Sequence, residues 1–257
     1  MDVKEQEILG DAVGQHWYYR AKAAVMQNLL APRPPQHVLD VGAGSGFFSR
    51  LLLDQGAARA TCVDPAYPQE HEEQQNGRPI RFVHNVNTFD ADTVLLMDVL
   101  EHVDDDVGLL RYYADRAPAG ARFLITVPAF QWMWSGHDIF LEHRRRYTLP
   151  QMENVIRQAG LKPVLGCYYY GLTLPIAAAV RLAGKLAGAP DDGLKSNMQR
   201  HSTPVNAFLG ALSTLERHWC TAFRQPTWMR SLAARAPTWG IPTRRSKAIT
   251  KTNPTFF

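Results

Sequence analysis

The feature that most constrains this fold is the segment VLDVGAGSGFFSR, residues 38–50, where a short apolar run leads into three glycines and then a helical pattern. Gly42, Gly44 and Gly46 let the backbone turn tightly after a strand and come close to a ligand. The first N–H groups of the following helix are free to bind an anion or a polar group. The GxGxG spacing differs from the GxGxxG of dinucleotide enzymes, so the segment predicts a strand–turn–helix unit for another nucleotide-like cofactor.

Short apolar runs alternate with helix-length segments along the first 160 residues. This alternation is typical of βαβ units and predicts an α/β fold with a doubly wound, Rossmann-like sheet. We expect seven strands, at residues 37–41, 60–63, 80–83, 93–97, 122–127, 162–170 and 246–250. Helices are predicted over 19–30, through 48–53 and over 149–160.

Composition indicates one soluble domain over residues 1–257, with 46% hydrophobic and 20% charged residues. The three cysteines, Cys62, Cys167 and Cys220, form no CxxC pair, which argues against a disulfide framework and a structural zinc site. The N-terminus lacks the pattern of a secretory signal, and no apolar run approaches the ~18 residues of a membrane span. A cytoplasmic location is therefore expected, and the net charge of +4 is only weak support for nucleic acid or an anionic membrane as a partner.

A helical insertion is predicted over residues 172–238, between the last two strands. Its helices are expected over 172–186 and 204–219, and the second has apolar residues in helical register. The insertion suits a substrate lid, a homodimer face or a cap that contacts a membrane surface peripherally.

Taken together, VLDVGAGSG, the CVDP that follows and LLMDVLEHV resemble the class I S-adenosylmethionine-dependent methyltransferases over residues 19–160. The resemblance implies that Asp40 and the glycine turn bind the methionine part of the cofactor, and that Met97 lies beside the adenine. Asp64 ends the second strand ~20 residues after the glycines, where its carboxylate can accept hydrogen bonds from a ribose.

The sequence HWYYRAK, residues 16–22, resembles the HWWFRxR that precedes the first strand in many bacterial members of that family. Arg20 is therefore a candidate for pairing with the cofactor carboxylate, which suits a guanidinium. The alternative, a solvated arginine on an amphipathic helix, is equally consistent with the residue type.

The segment MDVLEHV, residues 97–103, places Asp98, Glu101 and His102 directly after a predicted buried strand. One interpretation is a helix that begins at Asp98, with the two carboxylates forming a capping box. The other comes from resemblance: in ubiquinone-pathway O-methyltransferases and small-RNA 2′-O-methyltransferases, an ExxEH here supplies ligands to a divalent metal. The resemblance implies that Asp98, Glu101, His102 and the later His143 bind Mg, Mn, Fe or Zn. A metal-free site, with His102 or His143 as the base beside Glu101, remains an alternative.

The segment after the fifth strand offers candidates for the acceptor site. Trp132 and Trp134, with Phe130, are predicted either to line a substrate pocket or to pack under the loop. Arg144 and Tyr147 belong to the run RRRY, which either binds an anionic group of the substrate or forms a solvated face.

These features predict an enzyme, an S-adenosylmethionine-dependent methyltransferase that methylates a hydroxyl of a small or lipid-like acceptor. An RNA 2′-O-methyltransferase and a small-molecule N-methyltransferase are alternatives, although no appended nucleic-acid module is visible. An alternative of another class is a cofactor-binding scaffold without catalysis.

Overall fold

The computed structural model describes residues 10–179, 202–222 and 234–235. These residues form a six-stranded sheet. Its strands are β1 (His37–Val41), β2 (Arg59–Val63), β3 (His71–Gln75), β4 (Arg78–Val83), β5 (Thr93–Met97) and β6 (Arg122–Thr126). Their order is β3-β4-β2-β1-β5-β6, and every neighbouring pair is parallel except β3 with β4. The four strands predicted at 37–41, 60–63, 93–97 and 122–127 are present to within one residue.

Both faces of this sheet are apolar and both are covered by helices. Val38 and Leu95 lie on the face that packs against α1 (Trp17–Leu30) and α2 (Phe47–Asp54). Leu39 and Leu96 lie on the other face, against α3 (Asp106–Arg116) and α5 (Leu149–Gln158). Successive side chains of a strand point to opposite faces, so a parallel strand buried on both sides needs a continuous apolar run. The expectation of an α/β, Rossmann-like sheet with helices on both sides is confirmed.

The strand order reverses at β1, which pairs with β2 on one side and β5 on the other. Ligands of such sheets bind in the crevice outside the carboxyl ends of the strands at this reversal. The glycine turn leaves the end of β1, and Asp98 follows the end of β5. These two segments therefore form the floor of the crevice.

One strand of the sheet was not predicted. β3 and β4 form an antiparallel hairpin in which Gln75 pairs with Arg78 across the turn residues Asn76 and Gly77. Both turn residues have positive φ, +50° and +73°, as a tight two-residue hairpin turn requires. The polar sequence HEEQQ fits an exposed edge strand, which hides it from a search for apolar runs.

The sixth predicted strand, residues 162–170, is wrong over most of its length. Leu161–Lys162 form a two-residue strand, β7, that pairs with β8 (Ala234–Arg235) outside the main sheet. Pro163 cannot donate to a ladder hydrogen bond, and Tyr170 has a φ of +71°. The seventh predicted strand, 246–250, lies outside the described residues, so the seven-stranded sheet stays a prediction.

The predicted insertion is described only in part. Residues 174–179 are helical, and α6 (Thr203–Ala222) packs against α1. The side-chain amide of Asn206 accepts a hydrogen bond from Trp17 N (2.9 Å) and donates one to the carbonyl of Gln15 (3.0 Å). Val205, Phe208 and Leu215 point outward and are exposed. An amphipathic helix is expected to turn all its apolar residues toward the domain. In α6 some of them face outward instead.

In the part of the chain that the structure describes, no helix combines the length and the apolar character that a membrane span requires.

Candidate active site

The glycine turn after β1 comes so close to neighbouring chain that a side chain could not fit. Gly42 has a φ of +64°, and a Cβ at this position would lie 2.8 Å from Val99 Cγ2. Gly46 has a φ of +71°, and its Cβ would lie 3.1 Å from both Cys62 Sγ and the Phe82 ring. The segment that follows β5 is thus in contact with the turn that follows β1. The N–H groups of Gly42 and Gly46 donate to the carbonyls of Val63 (2.7 Å) and Ala43 (3.0 Å), so hydrogen bonds within the protein fix the turn.

Asp64 lies at the rim of the same turn, directly after β2. Its carboxylate accepts hydrogen bonds from Gly44 N (3.2 Å) and Ala66 N (3.0 Å). The Tyr67 hydroxyl donates to the Gly44 carbonyl (2.7 Å) and so braces the turn from the other side. Each carboxylate oxygen can accept a second hydrogen bond, so Asp64 keeps the capacity to bind two hydroxyls. Tyr67 was not predicted; its only signal is its place three residues after Asp64.

Two other predicted cofactor residues lie below the turn. Asp40 is buried, and its carboxylate accepts a hydrogen bond from Ser49 Oγ (2.8 Å), which ties β1 to α2. Burial raises the pKa of Asp40 to about 6. Met97 packs in the core on the α1 and α2 side of the sheet. Asp40 therefore shapes the turn through Ser49, and Met97 forms part of its support.

Helix α1 covers the turn, and it brings Lys22 rather than Arg20 to the crevice. The rings of Tyr19 and Phe47 meet at 5.9 Å, and Lys22 is buried in an ion pair with Asp98. Arg20 is exposed and faces the groove between α1 and α6. Residues two apart on an α-helix lie about 200° apart around its axis, so Arg20 and Lys22 point in nearly opposite directions. Arg20 therefore lies on the face of α1 away from Asp98, and its pairing with the cofactor carboxylate stays a prediction.

The helix predicted to begin at Asp98 does not begin there. Asp98 has a φ of +58°, and Leu100–His102 form a single 3₁₀ turn. The following helix, α3, begins at Asp106, and its N-cap is Asp105, whose carboxylate accepts a hydrogen bond from Gly108 N (2.8 Å). The capping-box interpretation of the DxxEH segment is therefore wrong.

The Asp98 carboxylate is also not placed for the predicted metal. One oxygen accepts from Lys22 Nζ, and the other accepts from Thr126 Oγ1 (2.9 Å). The Asp98 backbone N–H donates to the Thr126 carbonyl (3.0 Å). Asp98 thereby joins α1, β5 and β6 at one point, and the cluster that could bind a metal does not include it.

The other three predicted metal ligands do come together. Glu101, His102 and His143 each offer a ligand atom, and these atoms all lie within 4.8 Å of one another. Glu101 is fully buried, and within the described residues neither of its carboxylate oxygens accepts a hydrogen bond. Burial, and then the nearby charge of Asp98, raise the pKa of Glu101 well above its usual range. A buried carboxylate without partners is costly, so this position is suited to a cation or a proton.

Each histidine of the cluster has a defined electrostatic setting. Burial, followed by the proximity of His143, lowers the pKa of His102 to about 4, so His102 is neutral at pH 7. The two imidazole rings meet edge to face at 4.8 Å. His143 Nδ1 lies 3.0 Å from Asp138 Oδ1, which favours the tautomer that leaves Nε2 unprotonated. Each ring thus has a nitrogen that can bind a metal when the imidazole is neutral.

Asp138 is a site residue that the sequence analysis missed. It is fully buried at the N-terminal turn of α4 (Gly136–Phe140) and binds Arg146 through both carboxylate oxygens, at 2.6 and 3.0 Å. Burial opposes ionisation, but the hydrogen bonds from His143 and Arg146 outweigh it and lower the pKa of Asp138 well below its usual range. A carboxylate five residues before His143 in SGHDIFLEH was the available signal.

The aromatic residues of the loop after β6 form a stack with Tyr168. The rings of Phe130 and Trp132 stack at 5.8 Å, and the rings of Phe130 and Tyr168 stack at 4.8 Å. Trp132 is 62% exposed, whereas Trp134 is half-buried. Phe130 has a φ of +62°, a strained backbone of the kind found at binding sites. Trp132 is therefore the predicted aromatic residue that offers a surface to a ligand.

The arginines at 144–146 mainly stabilise the loop after β6 through contacts within the protein. Arg146 pairs with Asp138, and Arg145 donates to the carbonyls of Val103 (3.1 Å) and Asp104 (2.9 Å). Arg144 is exposed, and its side chain lies 3.7 Å from Asp104 in a surface ion pair.

Tyr147, predicted as a substrate contact, is a buried structural residue. Its hydroxyl donates to the carboxylate of Asp106 (2.8 Å) and lies 3.1 Å from the Leu100 carbonyl. This correction follows from the bend of the loop after Pro128, which brings Tyr147 back alongside Ala129.

Comparison of this chain with known protein families assigns it to one of them. The family described as "Methyltransferase domain" matches residues 14–165, more than half of the 257-residue chain. No curated protein sequence matches the chain significantly.

Solved structures resemble the chain at low identity. A protein assigned as an O-methyltransferase, from Nostoc punctiforme, is 19% identical, with 57% of this chain and 54% of that chain covered and a TM-score of 0.44. A protein assigned as a sarcosine dimethylglycine methyltransferase, from Galdieria sulphuraria, is 14% identical over 80% of this chain and 79% of that one, with a TM-score of 0.46. The methyltransferase domain of a bacterial Hen1 is 18% identical over 56% of this chain and 86% of that one, with a TM-score of 0.41. The chain thus spans about half the length of the Nostoc protein, and the family match, not these likenesses, identifies the domain.

Gly42→Ala should destabilise the protein more than the matched substitution Gly120→Ala. Both positions have positive φ, but a Cβ at Gly120 meets nothing within 4 Å, whereas one at Gly42 meets Val99. Backbone strain alone costs about 1–2 kcal/mol, and the clash at Gly42 adds about 1–3 kcal/mol. Denaturant unfolding of the two variants measures the difference, and equal losses would contradict the close approach of Val99 to the turn.

The free energy of unfolding of the wild-type protein should fall as the pH rises because of Asp40, and Asp40→Asn should abolish this fall. The pKa of Asp40 is about 6 in the folded protein and about 3.9 in the unfolded chain. Between these values only the folded state holds the proton, so the free energy of unfolding falls as the pH rises. Asparagine can still accept from Ser49, so the variant should gain about 3 kcal/mol relative to wild type between about pH 3.5 and about pH 7. Denaturant unfolding at both pH values tests this; a pH-independent difference would exclude the raised pKa.

Proposed function

The chain belongs to the methyltransferase-domain family and is an S-adenosylmethionine-dependent methyltransferase, and we propose that it methylates a hydroxyl group of a small or lipid-like acceptor. A divalent metal bound by Glu101, His102 and His143 is part of this proposal. The observation that carries the proposal is the buried Glu101 carboxylate, which has no hydrogen-bond partner in the described residues and lies beside two imidazoles.

The residues at the crevice fit the cofactor. The glycine turn lets the backbone come close to a ligand at the start of α2, and Asp64 retains acceptor capacity for the ribose hydroxyls. Tyr67 and Ser49 fix this turn and the strand below it through their hydroxyl groups. The cofactor site is therefore built on strand ends, which hold a ligand more rigidly than long loops.

The donor set at the cluster fits a divalent metal. One carboxylate and two imidazoles suit Mg, Mn, Fe or Zn, and three protein ligands leave coordination positions open for a substrate. His143 is oriented by Asp138, as metal-binding histidines commonly are by a carboxylate on the other ring nitrogen. Glu101 lacks any other partner among the described residues that would compensate its charge. These features support the metal over a purely structural cluster.

The acceptor class takes its support from the loop after β6. Trp132 and Ile139 are both exposed, at 62% and 52%, on the loop that carries His143. An exposed tryptophan stacked on Phe130 gives a flat apolar surface for a ring or a hydrocarbon segment. This surface favours an acceptor with an apolar part over a small hydrophilic one.

The chemistry divides between positioning and charge stabilisation. The sulfonium of the bound cofactor supplies an electrophilic methyl group, and a divalent metal would polarise the acceptor hydroxyl. The glycine turn and Asp64 hold the cofactor, while Trp132 and the cluster hold the acceptor against it. Fixing both partners in line can contribute about 7–11 kcal/mol to lowering the barrier.

Proton removal has a defined route in the chain. His143 Nε2 is the unprotonated nitrogen, because Nδ1 donates to Asp138. The imidazolium that forms when His143 takes the hydroxyl proton is stabilised by the ionised Asp138. This route belongs to a second mechanism without a metal, because a His143 Nε2 that binds a metal cannot also accept the hydroxyl proton.

The RNA alternative loses the support it had from the arginines. Arg145 and Arg146 are held by carbonyl and carboxylate groups of the protein, and Arg144 pairs with Asp104 at the surface. Phosphate contacts need cations that are available to the nucleic acid.

Chelation should lower methyl transfer, and one added metal should restore it. The full-length protein is incubated with S-adenosylmethionine and a panel of phenolic and lipid-linked hydroxyl acceptors, and release of S-adenosylhomocysteine is measured. We expect a loss of at least about 10-fold after treatment with EDTA, reversed by Mg²⁺, Mn²⁺, Fe²⁺ or Zn²⁺. Turnover that is indifferent to the chelator would exclude the metal and favour His143 as a metal-free base. Tight cofactor binding without transfer to any acceptor would count against the proposed hydroxyl acceptors.

His143→Ala and Glu101→Gln should each abolish or strongly weaken Mn²⁺ binding, because each removes a ligand. Asp138→Asn should weaken it by about 10- to 100-fold, since His143 loses the carboxylate that orients its ring. The matched control is His71→Ala on the exposed hairpin, which should leave Mn²⁺ affinity unchanged. Calorimetric titration with Mn²⁺ measures all four variants, and equal affinity of wild type and His143→Ala would exclude this site.

A further inference from the structure

Helix α6 has an apolar face that the other described residues leave exposed. Val205, Phe208 and Leu215 lie on this face and are between 44% and 59% exposed. With 3.6 residues per turn, these three side chains fall within an arc of about 80° around the helix axis. No charged residue occurs in the sequence from Thr203 to Leu215. An exposed face of this kind indicates contact with an apolar medium or a partner.

A second exposed apolar segment lies beside the part of α6 that carries Leu215. The Glu216 carboxylate accepts hydrogen bonds from the backbone N–H groups of Gly171 and Leu172, the second at 3.4 Å. This contact places the start of the helical segment 174–179 next to α6. Leu172 and Ile176 of this second segment are exposed as well. We call five exposed side chains the apolar face: Leu172, Ile176, Val205, Phe208 and Leu215.

A groove with a cationic residue runs beside the apolar face. It lies between α1 and α6 and has a volume of about 500 Å³. Ala207 and Ala211 line it and are themselves exposed, so the groove opens next to Phe208. Arg20 lines it from α1, and within the described residues its guanidinium group forms no ion pair. An exposed arginine without a carboxylate partner is available to a phosphate, which it can bind through two hydrogen bonds.

We propose that the apolar face and Arg20 dock the protein on a membrane surface that contains anionic phospholipids. The apolar side chains enter the boundary between headgroups and acyl chains, where an amphipathic helix lies in the plane of the membrane. Arg20 binds a headgroup phosphate at the groove. Burial of the apolar side chains supplies affinity for any bilayer, and Arg20 adds a preference for anionic lipids.

The size of the apolar face favours a membrane over a second copy of the chain. Five side chains that are each about half exposed offer on the order of 500 Å², less than the ~800 Å² per partner of a specific protein–protein interface. A membrane sets no such threshold, because each side chain that enters it contributes separately. In a two-fold contact the same face meets itself, so Arg20 would find no complementary charge there, whereas an anionic membrane supplies one.

The apolar face is also close to the active site along the chain. The phenol of Tyr169 interacts with Asp98 and Glu101, and Leu172 of the apolar face is only three residues further on. Three residues span at most about 11 Å. A lipid acceptor in the membrane would therefore have a short path to the crevice. This link rests on the lipid-like acceptor of the proposed function, whereas the docking surface itself does not.

Co-sedimentation with vesicles tests the apolar contact. The full-length protein is mixed with vesicles of phosphatidylcholine alone and with vesicles of equal parts phosphatidylcholine and phosphatidylglycerol. We expect binding to both, with higher affinity for the anionic vesicles that added salt reduces. Phe208→Glu should weaken binding to both by at least about 10-fold, because its side chain no longer enters the lipid. Gln74→Glu adds the same charge on the exposed strand β3 and should change binding by less than about 3-fold.

Arg20→Gln tests the charge separately from the apolar contact. It should weaken binding to the anionic vesicles by about 5-fold, the value of one basic residue near such a surface, and leave binding to phosphatidylcholine unchanged. Arg81→Gln is the matched control, because Arg81 is an exposed arginine on strand β4, and it should preserve both affinities. Arg20→Gln should also leave the affinity for S-adenosylhomocysteine unchanged. Loss of that affinity would assign Arg20 to the cofactor and overturn its role at the membrane.

Two further measurements exclude the other occupants of the apolar face. Thermal unfolding of Phe208→Glu should match that of wild type, and a large loss of stability would show that the protein's own chain covers the face. Light scattering without lipid should give a monomer, and a dimer that Phe208→Glu dissociates would assign the face to a second copy. Either result, or no binding to either kind of vesicle, would overturn the proposal. The assay needs no acceptor and no metal, so its failure would leave the proposed methylation unchanged.

Discussion

The buried ion pair of Lys22 and Asp98 is the constraint on which the geometry of this active site depends. Asp98 leaves β5 with a φ of +58°, a conformation that costs about 1–3 kcal/mol for a residue other than glycine. The hydrogen bonds to Thr126 and the contact with Lys22 hold it there. Because a buried charge persists only with its partner, α1 cannot leave the sheet without exposing or stranding a charge. The direction in which the chain continues toward Glu101 is set at this point.

The two halves of the site are built in different ways. The cofactor side consists of strand ends and a glycine turn whose backbone is locked by Val99, Asp64 and Tyr67. The proposed acceptor side is a loop held by side-chain pairs, chiefly Asp138 with Arg146. A cofactor site built from backbone can serve many different reactions. An acceptor site built from side chains can change its specificity through a few substitutions. The proposed metal cluster of Glu101, His102 and His143 lies where the two halves meet.

Much of this arrangement could be predicted from local patterns, and the failures have local reasons. The strand at 93–97 was correct because a continuous apolar run has few alternatives in a sheet covered on both faces. The hairpin at 71–83 was missed although Asn76-Gly77 is a strong turn signal, because its first strand is polar and exposed. The helix predicted at Asp98 had ideal capping residues, but Lys22 and Thr126 bind the carboxylate that would have capped it. Tertiary contacts thus overrode a sound local preference.

The sequence by itself determined the sheet layers, the glycine turn and the place of Asp64 at its rim, because each depends on residues close together in the chain and on simple periodicity. Only the tertiary structure decided that Lys22 meets Asp98 across 76 positions of sequence, and that His143 meets Glu101 and His102. It also placed Arg20 in the groove beside α6 and gave Arg145 and Tyr147 hydrogen-bond partners within the protein. The physical reason is that a side chain's partner depends on how helices and loops pack on the two faces of the sheet. That packing is the sum of many contacts between distant residues, and no local pattern encodes it.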